Sequence, residues 1–283
     1  MTSPNIFTDT TPVTDPADPT VAHCVITDAW GLFYAQGGVV MAAALRSAAA
    51  VLDRDDLTLS SASGTFCMPV ACGPVTVEVN VLRSGRRGAQ VVALLRDQNA
   101  TETQTNVVVT AVFTDPTMEG PKLTPMPRPD ELSRVPATDA VPAGVPDSTF
   151  PLGFLDNTEW HHNSLPDVGI GNSGPLPRIA VWFKFTSPPA PAGQAWEPAL
   201  LPIPGDALGS ALTVALADGD EPIGSVSLQM DIHVHAPVFG EWIGIDSTAT
   251  FIGNGLANGV LALWSEDGTH VATVSQSAML RSF

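Results

Sequence analysis

The chain has 283 residues, room for one large domain or two ordinary ones. Hydrophobic residues make up 44% and charged residues 14%, so a sizeable core can be buried and global disorder is excluded. With 12 lysines and arginines against 29 acids, the formal net charge is −17, which disfavours a phosphate backbone as partner.

The first 20 residues, with four prolines and several threonines, read as a flexible tail without a basic or apolar leader. Gly37 and Gly38 then open a helix that runs to Leu52, dense in alanine and interrupted only by Arg46 and Ser47. A helix this apolar on all sides must be buried on most of them. It is also too short, and broken by Arg46, to cross a bilayer. Val75, Val77, Val79 and Val81 alternate with polar residues, the period of a strand. A turn at 84–88 leads into a strand at 89–95, and a second turn at 97–105 into a strand at 107–113. One buried helix followed by an antiparallel meander makes an α+β unit. Cys24, Cys67 and Cys72 have no metal-ligand spacing and read as buried free thiols, which fits a soluble, cytoplasmic protein.

Of the 26 prolines, 18 fall between Pro116 and Pro204. Proline removes a backbone donor and fixes φ, so residues 116–177 read as a connection draped between two folded units, 21–115 and 178–283. In the second unit a helix is predicted over 205–217, followed by strands at 226–235, 242–252, 260–264 and 271–280. Landmarks keep step between the units: Pro69 with Pro237 and Gly85 with Gly253 at a spacing of 168, Ala93 with Ala262 at 169. That near-constant offset predicts an internal duplication.

No phosphate-cradling glycine loop, nucleophile elbow or dinucleotide fingerprint is present. His161 and His162 fall in the connection and read as surface residues. His233 and His235 share one face of a strand without a third ligand, so no metal centre is expected. Other pieces are more telling as an ordered set: Gly37-Gly38-Val39-Val40-Met41-Ala42-Ala43, Phe66-x-x-Pro69, Gly73-Pro74 and Leu82-Arg83-Ser84-Gly85-Arg86 in the first half. The second half has Ser227-Leu228-Gln229, His233-Val234-His235-Ala236-Pro237, Glu241-Trp242, Asp267-Gly268 and Val271-Ala272-Thr273-Val274-Ser275-Gln276. In this order the chain resembles the acyl-CoA thioesterase II-like proteins.

The resemblance implies a double hotdog fold, two antiparallel sheets each wrapped around a buried helix. It implies hydrolysis of acyl-CoA to a carboxylic acid and coenzyme A, with no cofactor beyond the coenzyme A of the substrate. The family's water-holding trio of aspartate, hydroxyl and glutamine maps onto Asp218 (with Asp220 as its neighbour candidate), Ser227 and Gln276. Asp218-Gly219 is equally an ordinary helix stop, Ser227 an ordinary strand residue and Gln276 a core amide satisfied by backbone. Backbone N–H groups of Gly37 and Gly38 are candidates to steady an oxyanion. Arg83, Arg86 and Arg87 are candidates for coenzyme A phosphates, or simply a solvated hairpin tip. Gln229 stands where the family often has aspartate, which keeps open a non-catalytic acyl-CoA or lipid-binding protein. A dehydratase or hydratase on the same fold ranks last, since neither helix carries a histidine. The family resemblance also admits a homodimer.

Overall fold

A computed structural model describes residues 3–101, 103–121, 123, 126–137, 152–161, 177–215 and 223–282. In chain order, the described elements begin with helix α1 (Ile6–Asp9), strands β1 (Val13–Thr14) and β2 (Val21–Ile26), and helix α2 (Gly37–Leu52). Strands β3 (Thr58–Phe66), β4 (Gly73–Gly85), β5 (Gly88–Asp97) and β6 (Val107–Thr114) follow. The second half has α3 (Gly153–Asp156), β7 (Thr158–His161), β8 (Arg178–Phe185), α4 (Pro202–Gly205) and α5 (Leu208–Ala215). It closes with β9 (Ile223–Val234), β10 (Ile243–Gly253), β11 (Leu256–Ser265) and β12 (His270–Ser282).

All twelve strands join one antiparallel sheet in the order β1-β2-β4-β5-β6-β3-β9-β12-β11-β10-β8-β7. The expectation of two separate sheets is therefore corrected. β3 and β9 pair antiparallel from Ser61 opposite His233 to Thr65 opposite Gln229, and this ladder fuses the halves. Backbone groups at both inner edges are thereby satisfied instead of being left as open templates.

Read outward from that seam, the order is a palindrome: β2, α2 and β3–β6 on one side answer β8, α5 and β9–β12 on the other. The register makes the repeat quantitative. The irregularity between Val81 and Arg83 in β4 recurs between Ala249 and Phe251 in β10, again 168 residues on. The skip between Leu59 and Ser61 in β3 recurs between Ser227 and Gln229 in β9, at the same spacing. One landmark needs adjusting. Val79 pairs with Ala93 while Ser247 pairs with Leu261, so the counterpart of Ala93 is Leu261 and not Ala262. A slip of one residue changes the face of the sheet, and Ala262 indeed packs outward with Trp182, Trp242 and Trp264.

Helix α2 lies against β2, β4, β5, β6 and α4. Residues Gly38 to Ala48 are buried, which accounts for the small side chains there, but Ala49 and Ala50 emerge into solvent. The buried cation Arg46 meets the Glu197 carboxylate through Nε (2.7 Å) and Nη2 (3.1 Å). Its Nη1 donates to the Phe7 carbonyl and to Thr10 Oγ1, both at 2.8 Å. A buried charge needs partners, and here the N-terminal segment supplies them. The predicted flexible tail is thus docked, with Ile6 and Thr10 fully buried.

Two of the strands that the sequence pattern did not announce have physical reasons for it. β3 (TLSSASGTF) is rich in serine and glycine, and β8 (RIAVWFKF) is covered on both faces, so neither alternates cleanly. Leu132, from the proline-rich connection, packs on Trp182, Trp242 and Trp264 on the outer face. His161, expected at the surface, is buried with its ring 5.0 Å from Trp242; His162 lies outside the described residues. All three cysteines are free, but only Cys24 is buried, and Cys67 is exposed. Among the described residues, no helix is long and apolar enough to cross a membrane.

Candidate active site

The two central helices begin close together at the seam, and their starts build a polar cluster in an otherwise apolar interior. At α2, Gln36 is the capping residue: its Oε1 accepts from the Val39 N–H at 2.8 Å. Its Nε2 donates at 2.9 Å to Oδ2 of Asp206, which also accepts from the Gly38 N–H at 2.9 Å. Asp206 itself lies between α4 and α5, two residues before α5 starts. Helix α4 can approach α2 only because position 38 lacks a side chain: a Cβ there would stand 2.3 Å from the Pro202 carbonyl oxygen.

The other carboxylate oxygen, Oδ1, accepts from Ser227 Oγ at 2.9 Å and from Gln276 Nε2. Ser227 is on β9 and Gln276 on β12, in adjacent strands. Gln276 Nε2 also donates to Ser227 Oγ at 2.8 Å, and its Oε1 accepts from the Leu208 N–H at 3.2 Å, the first residue of α5. That last bond fixes which way the amide faces. The four acceptor positions of the carboxylate are thus filled by Gln36, Gly38, Ser227 and Gln276.

Two opposed effects act on Asp206. Burial raises its pKa and prevails, while bonds from Ser227, Gly38 and Gln276 favour the ionised form; the balance is pushed up to about 6. The residue keeps some contact with solvent, but protein donors crowd the carboxylate itself. An acid poised there changes charge close to neutral pH, the property of a general base working at that pH.

Of the residues picked from sequence, Ser227 and Gln276 come together here. Asp218 and Asp220 lie outside the described residues, and the carboxylate that Ser227 and Gln276 meet is that of Asp206. Gly37 and Gly38 are part of the cluster, but the Gly38 N–H is committed to Asp206, so it anchors a carboxylate where an oxyanion donor had been expected. Arg83, Arg86 and Arg87 are exposed on the β4–β5 hairpin, whose Ser84 and Gly85 bond to Arg54 beyond the far end of α2. Gly38 to Leu52 is about 21 Å of helical rise, so the arginines stand apart from the cluster. Gln229 is exposed and donates to Asp231, remote in contact from Asp206.

Asp206 and Gln36 were missed. The signal for Asp206 was present: it is 168 residues after Gly38, the offset that relates the halves, and it precedes a helix as a short acidic residue often does. Carrying the same offset through the register pairs Ser227 with Leu59, and Gln276 falls opposite Met230 as Ala111 does opposite Ala62. The first half therefore has Gly38, Leu59 and Ala111 where the second has Asp206, Ser227 and Gln276. The duplicated fold carries this polar trio once. Among the described residues, no three His, Cys, Asp or Glu side chains are placed to hold a metal ion. The outer-face histidines are occupied otherwise: His235 bonds Thr273 Oγ1 at 2.9 Å and stands 4.8 Å from the His270 ring.

The family profile described as the acyl-CoA thioesterase N-terminal domain matches residues 26–114, and that of the acyl-CoA thioesterase C-terminal domain matches residues 129–280. Among solved structures, a conserved protein with a hot dog fold from Alicyclobacillus acidocaldarius is 18% identical, with TM-score 0.75 over 98% of this chain and 97% of its own. The tesB protein of Mycobacterium avium subspecies paratuberculosis is 14% identical, with TM-score 0.73 over 98% of both chains. The acyl-CoA thioesterase II TesB2 of Mycobacterium marinum is 19% identical, with TM-score 0.69 over 98% of both chains. No curated protein matches the chain in sequence.

Proposed function

Since the chain belongs to the acyl-CoA thioesterase family, a family of thioester hydrolases, we propose that Asp206, Ser227 and Gln276 hold and activate the water that cleaves an acyl-CoA. The observation that carries this reading is the mutual hydrogen bonding of the three side chains around one carboxylate with a pKa of about 6. We read the sheet as two hotdog units fused edge to edge, the first curved about α2.

Because the carboxylate is fully engaged, an incoming water must replace one of its donors. Ser227 is the donor that can yield without moving any heavy atom, since turning one C–O bond redirects its proton, whereas the amides of Gln36 and Gln276 would have to swing away. Asp206 then accepts a proton from the water, while Ser227 and Gln276 fix the oxygen toward the thioester carbonyl. Addition gives a tetrahedral intermediate. Its collapse breaks the C–S bond and releases the acid and coenzyme A, the thiolate taking the proton held by Asp206. Gln36 and Gly38 serve as positioning groups that keep Oδ2 engaged so that Oδ1 faces the water.

The test is release of free thiol from acyl-CoA by the wild type, Asp206→Asn and Gln276→Ala. A loss of about a hundredfold or more is expected in both variants; wild-type rates in both would remove the assignment. The departure that favoured a non-catalytic binder, Gln229, is exposed and its amide donates to Asp231, so it does not engage the Asp206 carboxylate.

A further inference from the structure

The ladder that fuses the halves has an outer face as well. Gln276 and Met230 are paired and buried, Gln276 within the Asp206 cluster, so the next pair along, Ser275 and Asp231, points to the opposite side of the sheet. From there a row of outward side chains crosses the seam: Ser275 on β12, Asp231 on β9, Ser63 on β3 and Thr110 on β6, each opposite the next. Asp231 follows Ser63 by 168 residues, the offset that relates the halves, and Ser275 and Thr110 flank them alike. The row would thus read the same from either end but for one position. Where the first half has a hydroxyl, the second has a carboxylate.

Small side chains in this row leave a groove of about 460 Å³, the size of a small-molecule site. Val112 and Leu82, the latter 61% exposed, line it on the first-half side. Asp231 is half-buried, and its hydrogen bonds are long: 3.2 Å from Ser275 Oγ, 3.3 and 3.4 Å from Gln229 Nε2. A cation bonds a carboxylate at about 2.7–2.9 Å. Among the described residues, no lysine or arginine pairs with Asp231, and the side chains of Ser61, Ser63 and Thr110 make no hydrogen bond. The other ionisable group of the lining is His233, exposed and opposite Ser61. The hairpin arginines lie beyond Leu82 on β4, four strand spacings or about 19 Å from β9, past the reach of a screened charge.

One under-coordinated carboxylate beside idle hydroxyls, in a chain of net charge −17, suits a compact cation rich in donors and repels an anion. We propose that this groove binds an organic ammonium ion with an apolar stem, at a site separate from Asp206 and independent of the thioesterase reading. An ammonium carries three donors. One goes to Asp231 and the others to Ser63 Oγ and Ser275 Oγ, the latter keeping its lone pairs while its own hydrogen stays on Asp231. The stem then runs over Val112 toward Leu82.

The probe is hexylammonium, titrated into the full chain at physiological ionic strength while amide chemical shifts are followed by NMR. Saturable shifts are expected at Ser63, Asp231 and Ser275, and not with hexanol, which has the same stem without the charge. Asp231→Asn should raise the Kd at least about tenfold, the loss of one charge-assisted hydrogen bond. Asp55→Asn, which removes an equal charge from the exposed loop after α2, should leave the Kd as in wild type. Ser63→Leu fills the groove without touching the charge and should abolish saturation; thermal unfolding of each variant establishes that it is folded. Absence of a saturable shift in the wild type overturns the proposal, as does an unchanged Kd in Asp231→Asn or equal binding of hexanol. An equal loss in Asp55→Asn also overturns it, since the cation would then answer the net charge of the chain and not a built site.

Discussion

Replacing Asp206 by asparagine removes an ionisable group that folding has to bury, and the benefit depends on pH in a calculable way. The carboxyl has a pKa of 3.8 when unperturbed and about 6 in the fold, raised chiefly by burial. Between those values the unfolded chain has released the proton while the folded chain still holds it. Stability from this group is therefore full below pH 3.8, declines as pH rises through 6, and is level above. The total decline is about 3 kcal/mol at 1.36 kcal/mol per pH unit. Evaluated at two convenient points, the cost is about 1 kcal/mol at pH 4.5 and about 3 kcal/mol at pH 7.5. Asparagine does not titrate. It does place an amide against donors now facing a carboxylate, a cost that is the same at both pH values. Urea denaturation followed by tryptophan fluorescence should thus show the stability of Asp206→Asn moving up by about 2 kcal/mol relative to wild type between pH 4.5 and 7.5. Other carboxylates cancel in the comparison. A difference between variant and wild type that stays constant across the two pH values would refute the buried-charge argument.

Other consequences follow from the same geometry. The kcat of the wild type on acyl-CoA should rise with pH through about 6 and then level, because Asp206 must be ionised to accept a proton. Gln276→Ala removes a donor to the ionised carboxylate, so a kcat–pH profile should show that rise displaced to higher pH as well as a lower plateau. Gly38→Ala would drive a Cβ to 2.3 Å from the Pro202 carbonyl oxygen and 2.6 Å from Ile203 Cα, both backbone atoms. It should destabilise by about 1–3 kcal/mol in thermal or urea unfolding, despite alanine's better helix propensity. Replacing Arg83, Arg86 and Arg87 together by serine should leave KM for acyl-CoA within about twofold, since ion pairs at an exposed tip contribute little and the hairpin lies at the other end of α2.

Much of the fold was legible because periodicity reports burial. The valine alternation of β4 and the alanine density of α2 each reflect a face, or a cylinder, that packs against protein. Where burial is two-sided, as in β8, or the side chains are small, as in β3, the pattern has nothing to alternate and the strand is silent. The joining of the halves through β3 and β9 was hidden for the same reason: pairing is made by backbone groups, which every sequence has. At the site, Gln276 stood out as a polar residue on an apolar strand, and Ser227 through the motif it opens. Asp206 was overlooked in favour of an acid at the other end of the second helix. A Pro-Gly-Asp turn looks like any loop until the start of α2, from 168 residues earlier, is brought against it.

The carboxylate belongs to one half of the chain, and two of its four hydrogen-bond donors, Gln36 and Gly38, to the other. The second half holds the whole trio but lacks the two donors that engage Oδ2, so an isolated second half, however well it folded, should be impaired. Complementation between separately produced fragments should accordingly restore function only when they dock in the native register. A library of cut points could use recovered turnover as a direct readout of that docking.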